Sequence, residues 1–201
     1  LKDNVSDLTR LINALEKQHG ITGVSADFRA IMKLSRLLRE SEWKVTATLV
    51  LTKKGYKLVN VEPGDNTKQN YSIVLDIGTT TIWGQILDLN GCVVYACPGG
   101  LCDGATLFAL AEASDYNAQI SYGEDVITRI VYSQRPGGLK KMQEVVVSTI
   151  NKIIQDLLDM SKIDRSLISH LVIAGNTTMT QLLLGLDPKY IREDPYVPTA
   201  N

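Results

Sequence analysis

The 201-residue chain has almost no net charge, few cysteines and no long apolar run, and each shortage removes a class of function. Lysine and arginine together number 21 against 22 aspartates and glutamates. A protein that grips a nucleic-acid backbone needs clustered positive charge to displace counterions, so this balance, with no basic tract, argues against a nucleic-acid partner. The longest apolar runs, such as 144–150 and 171–174, fall far short of the ~20 residues of a membrane helix, which predicts no membrane contact. The polar start Leu1-Lys2-Asp3-Asn4 carries neither an initiator Met nor a signal peptide, so the sequence reads as a piece of something longer. Three cysteines at five-residue intervals, Cys92, Cys97 and Cys102, exclude a fully paired disulfide framework and suit a reducing, cytoplasmic setting. Zinc and iron–sulfur sites usually take four ligands at tighter spacing, and His19 and His170 lie far off, so no metal site is expected on these thiols. What is present, 44% hydrophobic and 21% charged residues, describes a soluble globular chain with one good core or two small ones.

Hydrophobic spacing divides the chain. Val5, Leu8, Leu11, Ile12 and Leu15 recur at helical intervals over residues 4–18, with Asn4 or Ser6 as cap and Gly20 as stop. A second helix follows a cap at Ser25 or Asp27, its stripe running from Phe28 to Leu38 and its arginines and lysines forming a solvated face. The period then drops to two: Trp43, Val45, Ala47, Leu49 and Leu51 predict a half-buried strand, and Lys54-Gly55 turns it into a return strand over 56–61. Residues 1–62 thus form a small α+β module of two helices and a hairpin, and the polar, turn-rich stretch 63–70 is a linker.

The second part, 71–201, predicts a mixed sheet flanked by helices, so the fold class is α/β. After a first hairpin, Asn90-Gly91 sends the chain into a third strand over 92–96, and turn residues bracket a loop over 98–104. Residues 107–113 are apolar and ambiguous between strand and short helix. Val126, Ile127, Ile130 and Val131 mark one helix, opened by Glu124 and Asp125, and 139–160 a long amphipathic one. Residues 169–174 read as a buried strand, followed by Gly175-Asn176-Thr177-Thr178 and another helix.

The stretch that carries chemistry is Asp76-Ile77-Gly78-Thr79-Thr80-Thr81, set between the apolar strand Ile73, Val74, Leu75 and a second strand through Ile82, Trp83 and Ile86. Gly78 permits a backbone conformation closed to other residues, so that successive N–H groups face one anion, and the three threonines add hydroxyl donors. A carboxylate repels phosphate directly, which makes Asp76 a holder of Mg²⁺ through its waters. Gly175, Asn176, Thr177 and Thr178, at the start of a helix that follows a strand, offer a second place for an anion, or a plain helix cap. No Gly-Lys-Ser/Thr follows Gly78, so this is not a Walker loop.

Asp-x-Gly-Thr-Thr in this setting resembles the first phosphate loop of the actin, chaperone and sugar-kinase ATPases. Three longer segments, 75–91 (LDIGTTTIWGQILDLNG), 114–130 (SDYNAQISYGEDVITRI) and 170–188 (HLVIAGNTTMTQLLLGLDP), resemble the ATP-dependent reductive activators of corrinoid proteins. That resemblance implies that 71–201 is the first lobe of an actin-like, ribonuclease-H-like ATPase domain cut short at its C-terminal end, with 1–62 the preceding middle domain. It implies ATP and Mg²⁺ at Asp76, Gly78, Thr79, Thr80 and Thr81, with Asp76 the catalytic residue, and the same cleft lined by Gly175, Asn176, Thr177 and Thr178. Asn117, Gln119, Gly123 and Asp125 match a family segment to which no role is attached. The family draws a low-potential electron from a two-iron two-sulfur domain, absent here, to return a Co(II) corrinoid protein of a methyltransferase system to Co(I), at the cost of ATP; a homodimer is one assembly it allows.

The chain departs from that pattern in two ways. Its cysteines do not have ferredoxin spacing, and 96–112 is longer than the usual passage between the third strand and the Asn-x-Gln segment. With one lobe only, phosphoryl transfer lacks donors from the far side of the cleft, so this stretch alone is expected to bind ATP weakly and hydrolyse it hardly at all. Two alternatives stay open: a sugar or acid kinase lobe, with an aspartate as base, and a non-catalytic assembly module that uses nucleotide as a switch.

Overall fold

The computed structural model describes residues 4–90 and 108–200, and the chain divides into two compact units, 1–69 and 70–201. The expected strand over 92–96, the loop over 98–104 and all three cysteines lie outside the described residues.

In the first unit, α1 (Asp7–His19) starts where Ser6 accepts from the Thr9 N–H and stops at Gly20 in the left-handed region. Asp27 caps α2 (Phe28–Glu40) in the same way. The strands β2 (Val45–Thr52) and β3 (Gly55–Pro63) pair antiparallel, and a two-residue strand β1 (Ser25–Ala26), which the hydrophobic pattern does not signal, runs parallel to β3. A bulge in the β2–β3 pairing shifts the register at Thr48 and Leu49, so Leu58 and Val61, three apart, are both buried. They pack with Leu11, Leu15, Leu34 and Leu38 of the two helices.

The second unit is built on a four-stranded mixed sheet in the order β6-β5-β4-β7. Strands β4 (Tyr71–Ile77) and β5 (Thr81–Asp88) form the expected hairpin, and β6 (Phe108–Tyr116) continues it antiparallel, which resolves the ambiguous stretch as a strand. Strand β7 (Ile168–Gly175) lies parallel to β4. After β6 come a short 3-10 turn (Ala118–Tyr122), α3 (Val126–Ser133), the long α4 (Gly138–Ser161), then β7, α5 (Thr177–Leu184) and α6 (Lys189–Arg192). Ile73, Leu75 and Ile77 alternate onto the face that meets α4, where Met142, Val146, Ile153 and Leu157 are buried. Each such side chain contributes roughly 1.5–3 kcal/mol when fully withdrawn from water. Among the described residues no helix is long and apolar enough to cross a membrane.

The buried strand expected at 169–174 is corrected. Strand β7 ends the described sheet, and Leu171, Val172 and Ile173 are 48%, 56% and 37% exposed because no described strand pairs with its outer edge.

Candidate functional site

The parallel pairing of β4 with β7 is what assembles the site. Asp76 sits opposite Ala174 and Ile77 opposite Gly175, so both strands deliver their C-terminal ends to one edge of the sheet. The bend 78–81 leaves β4 there, and α5 starts there. Sequence positions a hundred residues apart are thus neighbours: Asp76 and the threonine bend stand beside the N-terminus of α5, and not across the sheet from it.

Within the bend, Gly78 donates its N–H to the Thr81 carbonyl at 3.0 Å. Its backbone does not occupy the left-handed region, contrary to the expectation from glycine's freedom. The reason for glycine is space: a Cβ there would lie 2.6 Å from the Thr81 oxygen, inside any allowed contact.

Three buried side chains hold the bend from behind. Asn117, 0% exposed, donates Nδ2–H to the Gly78 carbonyl at 2.9 Å, and its backbone N–H donates to the Thr80 carbonyl at 2.8 Å. Arg129, also 0% exposed, donates through its guanidinium to the Thr79 carbonyl at 2.5 Å and through Nε to the Gly123 carbonyl at 2.8 Å. Gln119 links the set to the long helix by donating to the Met142 carbonyl at 3.0 Å, while its own N–H is accepted by Asn117 Oδ1 at 3.1 Å. Three successive carbonyls are therefore occupied from the interior. In a trans peptide the N–H points opposite to the C=O, so the Thr79 and Thr80 N–H groups are aimed the other way. They donate to nothing among the described residues, and neither do the three threonine hydroxyls. The Asp76 residue is exposed, and its carboxylate makes no hydrogen bond or ion pair among the described residues.

At the second element, Asn176 accepts from the Met179 N–H at 3.0 Å and so caps α5. Gly175, Asn176 and Thr177 are exposed, whereas Thr178 is 3% exposed and directed into the core. The α5 N-terminus still adds its partial positive charge to the same edge. The donor set fits a phosphate chain with a hydrated divalent cation: free N–H groups and hydroxyls for the anion, and one free carboxylate for the metal's waters. An iron–sulfur cluster has no such fit, because cysteine is its ligand and no described residue is a cysteine.

Asn117 and Gln119, which the sequence pattern leaves without a role, brace the bend, and the Gly123 carbonyl holds Arg129 in place. Arg129 stands on the buried face of α3 with Ile130 and Ser133, where a charge is costly unless it is bonded inside. Asp125 supports that helix through a reciprocal cap with Thr128, accepting from the Thr128 N–H at 2.8 Å. The Thr128 backbone N–H, ahead of the other contacts, holds the Asp125 carboxyl below its ordinary value of 3.8. A pKa depressed by folding adds stability that is present above the unfolded value and is lost as pH falls through the folded one. Asp125→Asn keeps a good cap, so it is expected to leave the unfolding midpoint at pH 7 nearly unchanged and to flatten its decline below pH 3.8. Denaturant melts of parent and variant between neutral pH and strong acid check this; parallel curves over the whole range would show that the carboxylate adds nothing.

Residues 71–201 match the family described as RACo middle region, and residues 1–68 the RACo linker region. The corrinoid activation enzyme RamQ of Eubacterium limosum is 32% identical over 146 residues, which are 71% of this chain and 22% of that protein. A solved structure, the reductive activator for corrinoid, iron-sulfur protein, matches with a TM-score of 0.78 and 31% identity over 99% of this chain and 29% of its own. The chain thus spans less than a third of the length of either relative. With the two family regions taking in every residue but 69 and 70, in order and without overlap, the chain belongs to the RACo family.

Proposed function

We propose that this chain is the phosphate-gripping part of an ATP-dependent reductive activator, which returns an inactive Co(II) corrinoid protein to Co(I). The observation that carries the reading is the braced bend at 78–81, with its carbonyls bonded inward and its N–H groups and hydroxyls left free beside Asp76 and the α5 N-terminus. In this reading Gly78, Thr79, Thr80 and Thr81 receive the phosphates of ATP, Asp76 orders Mg²⁺ through its waters, and Gly175, Asn176 and Thr177 close the near side. Thr178 supports them from the core. The names of the relatives supply the electron acceptor, and the resemblance to actin-like ATPases supplies the nucleotide. A one-electron reduction of the cobalt centre needs a donor, which here is a two-iron two-sulfur domain outside these residues. ATP hydrolysis drives the step by favouring one arrangement of the protein over another. The odd cysteine count fits a cytoplasmic setting.

The test uses a chain extended to the relatives' length, a Co(II) corrinoid protein and a low-potential reductant, with the Co(I) absorption band as readout. Co(I) is expected to accumulate with Mg²⁺ and ATP and not with a non-hydrolysable analogue. Equal accumulation without nucleotide would remove ATP from the reaction and with it the assignment of the bend.

A further inference from the structure

Arg129 is a full positive charge enclosed in the protein, and among the described residues no carboxylate pairs with it. Its hydrogen-bonding capacity is spent on neutral groups: the carbonyls of Thr79 and Gly123, Gln119 Oε1 at 3.5 Å and the Met179 sulfur at 3.3 Å. Asp125, four residues away, acts on it only through space, and that attraction is outweighed by the cost of burial. Carbonyl dipoles and a thioether compensate a guanidinium incompletely, and leaving such a charge without a counter-ion costs several kcal/mol. An apolar residue of the same length would remove the buried charge but leave the Thr79 and Gly123 carbonyls without their donor. Its place is also specific, since the group that binds Thr79 lies one peptide behind the free Thr80 N–H. A cation there, shielded from water, acts on an anion across the bend much more strongly than a surface lysine would.

We propose that Arg129 is the positioning residue of the bend and the buried counter-charge for the polyphosphate that the bend receives. It turns the Thr79 carbonyl inward, and its charge is balanced only when an anion lies on the far side of that peptide. Because it also reaches Met179 of α5, occupancy of the bend is felt at both elements of the site and at α3. This deepens the nucleotide reading and rests on it.

The experiment compares wild-type, Arg129→Lys and Arg129→Met proteins, each extended to the relatives' length, for binding of Mg-ATP and of AMP at low and moderate salt. A counter-charge acts in proportion to ligand charge, so Arg129→Met is expected to weaken Mg-ATP about tenfold or more and AMP much less. Arg129→Lys keeps the charge and loses the fork, and is expected to recover most of the preference for ATP over AMP. Equal losses for both ligands, or no recovery with lysine, would reduce Arg129 to a packing role and overturn the proposal. Should Arg129→Met fail to fold, hydrogen exchange on the wild type decides: Mg-ATP is expected to protect 117–133 together with 77–81, and protection of 77–81 alone overturns the coupling. Wild-type protein that binds no nucleotide at all would instead sink the nucleotide reading itself, before any variant is compared.

Discussion

Asp76→Asn, in a chain extended to the relatives' length, is expected to lower ATP-dependent corrinoid reduction by about 10²–10³-fold, the scale on which loss of one charge-stabilising group acts in a transition state. The fold should not register the change. Asp76 is exposed, its carboxylate bonds to nothing among the described residues, and it is isosteric with its replacement, so stability should move by no more than about 0.5 kcal/mol. The two readouts separate because the residue serves no neighbour in the chain and is placed by β4 alone, whose pairing with β5 and β7 does not involve its side chain. A carboxylate at this edge also has an electrostatic cost when the phosphates arrive, and only a cation between them reverses its sign. The replacement should therefore weaken binding of Mg-ATP and leave binding of metal-free ATP unchanged or slightly tighter. Parallel assays of Co(I) formation, ATP hydrolysis and thermal melting check it. Turnover at the parent's rate would remove the metal from Asp76, and a collapsed melting point would show that its role is structural.

Much of this arrangement was legible in the sequence, and the misreadings have physical causes. Helical spacing located α1, α2, α3 and α4 because each lays one apolar stripe on a core, a pattern that survives any detail of packing. The Asp-x-Gly-Thr-Thr bend was legible because its strands are apolar on both sides and only the turn is polar. The exposure of strand β7 is not legible because Leu171, Val172 and Ile173 spell the same run whether or not a neighbour pairs with the outer edge. The reason for Gly78 is hidden in the same way, since a glycine forced by a close oxygen and one forced by a left-handed turn are the same letter. The bulge that buries both Leu58 and Val61 depends on pairing across two strands, which no single strand's pattern contains. The role of Arg129 is hidden in the sequence for a related reason. Its partners are backbone carbonyls fifty and six positions away, and carbonyls carry no side-chain signature.

Asn117→Ala is expected to cost about 2–6 kcal/mol, because it strands two groups inside the protein at roughly 1–3 kcal/mol each: the Gly78 carbonyl and the Gln119 N–H. Denaturant unfolding of the 201-residue chain measures that loss directly. The loss of nucleotide affinity should be larger than the stability change alone predicts, since the peptide that Asn117 fixes is the one that aims the Thr79 N–H outward. Asn117→Asp separates the two effects. Its oxygen still accepts from Gln119, and a carboxylate at this position meets Arg129, which shares Gln119 Oε1 and the Met179 sulfur with Asn117 as common neighbours. Pairing those charges should recover part of the stability. It should recover none of the affinity, because it supplies inside the protein the anion that the bend would otherwise take from solvent, and puts an acceptor against the Gly78 carbonyl. Stability restored together with tight Mg-ATP binding would contradict the inward bracing of the bend as the basis of phosphate capture, since the brace would then be dispensable while the site still worked.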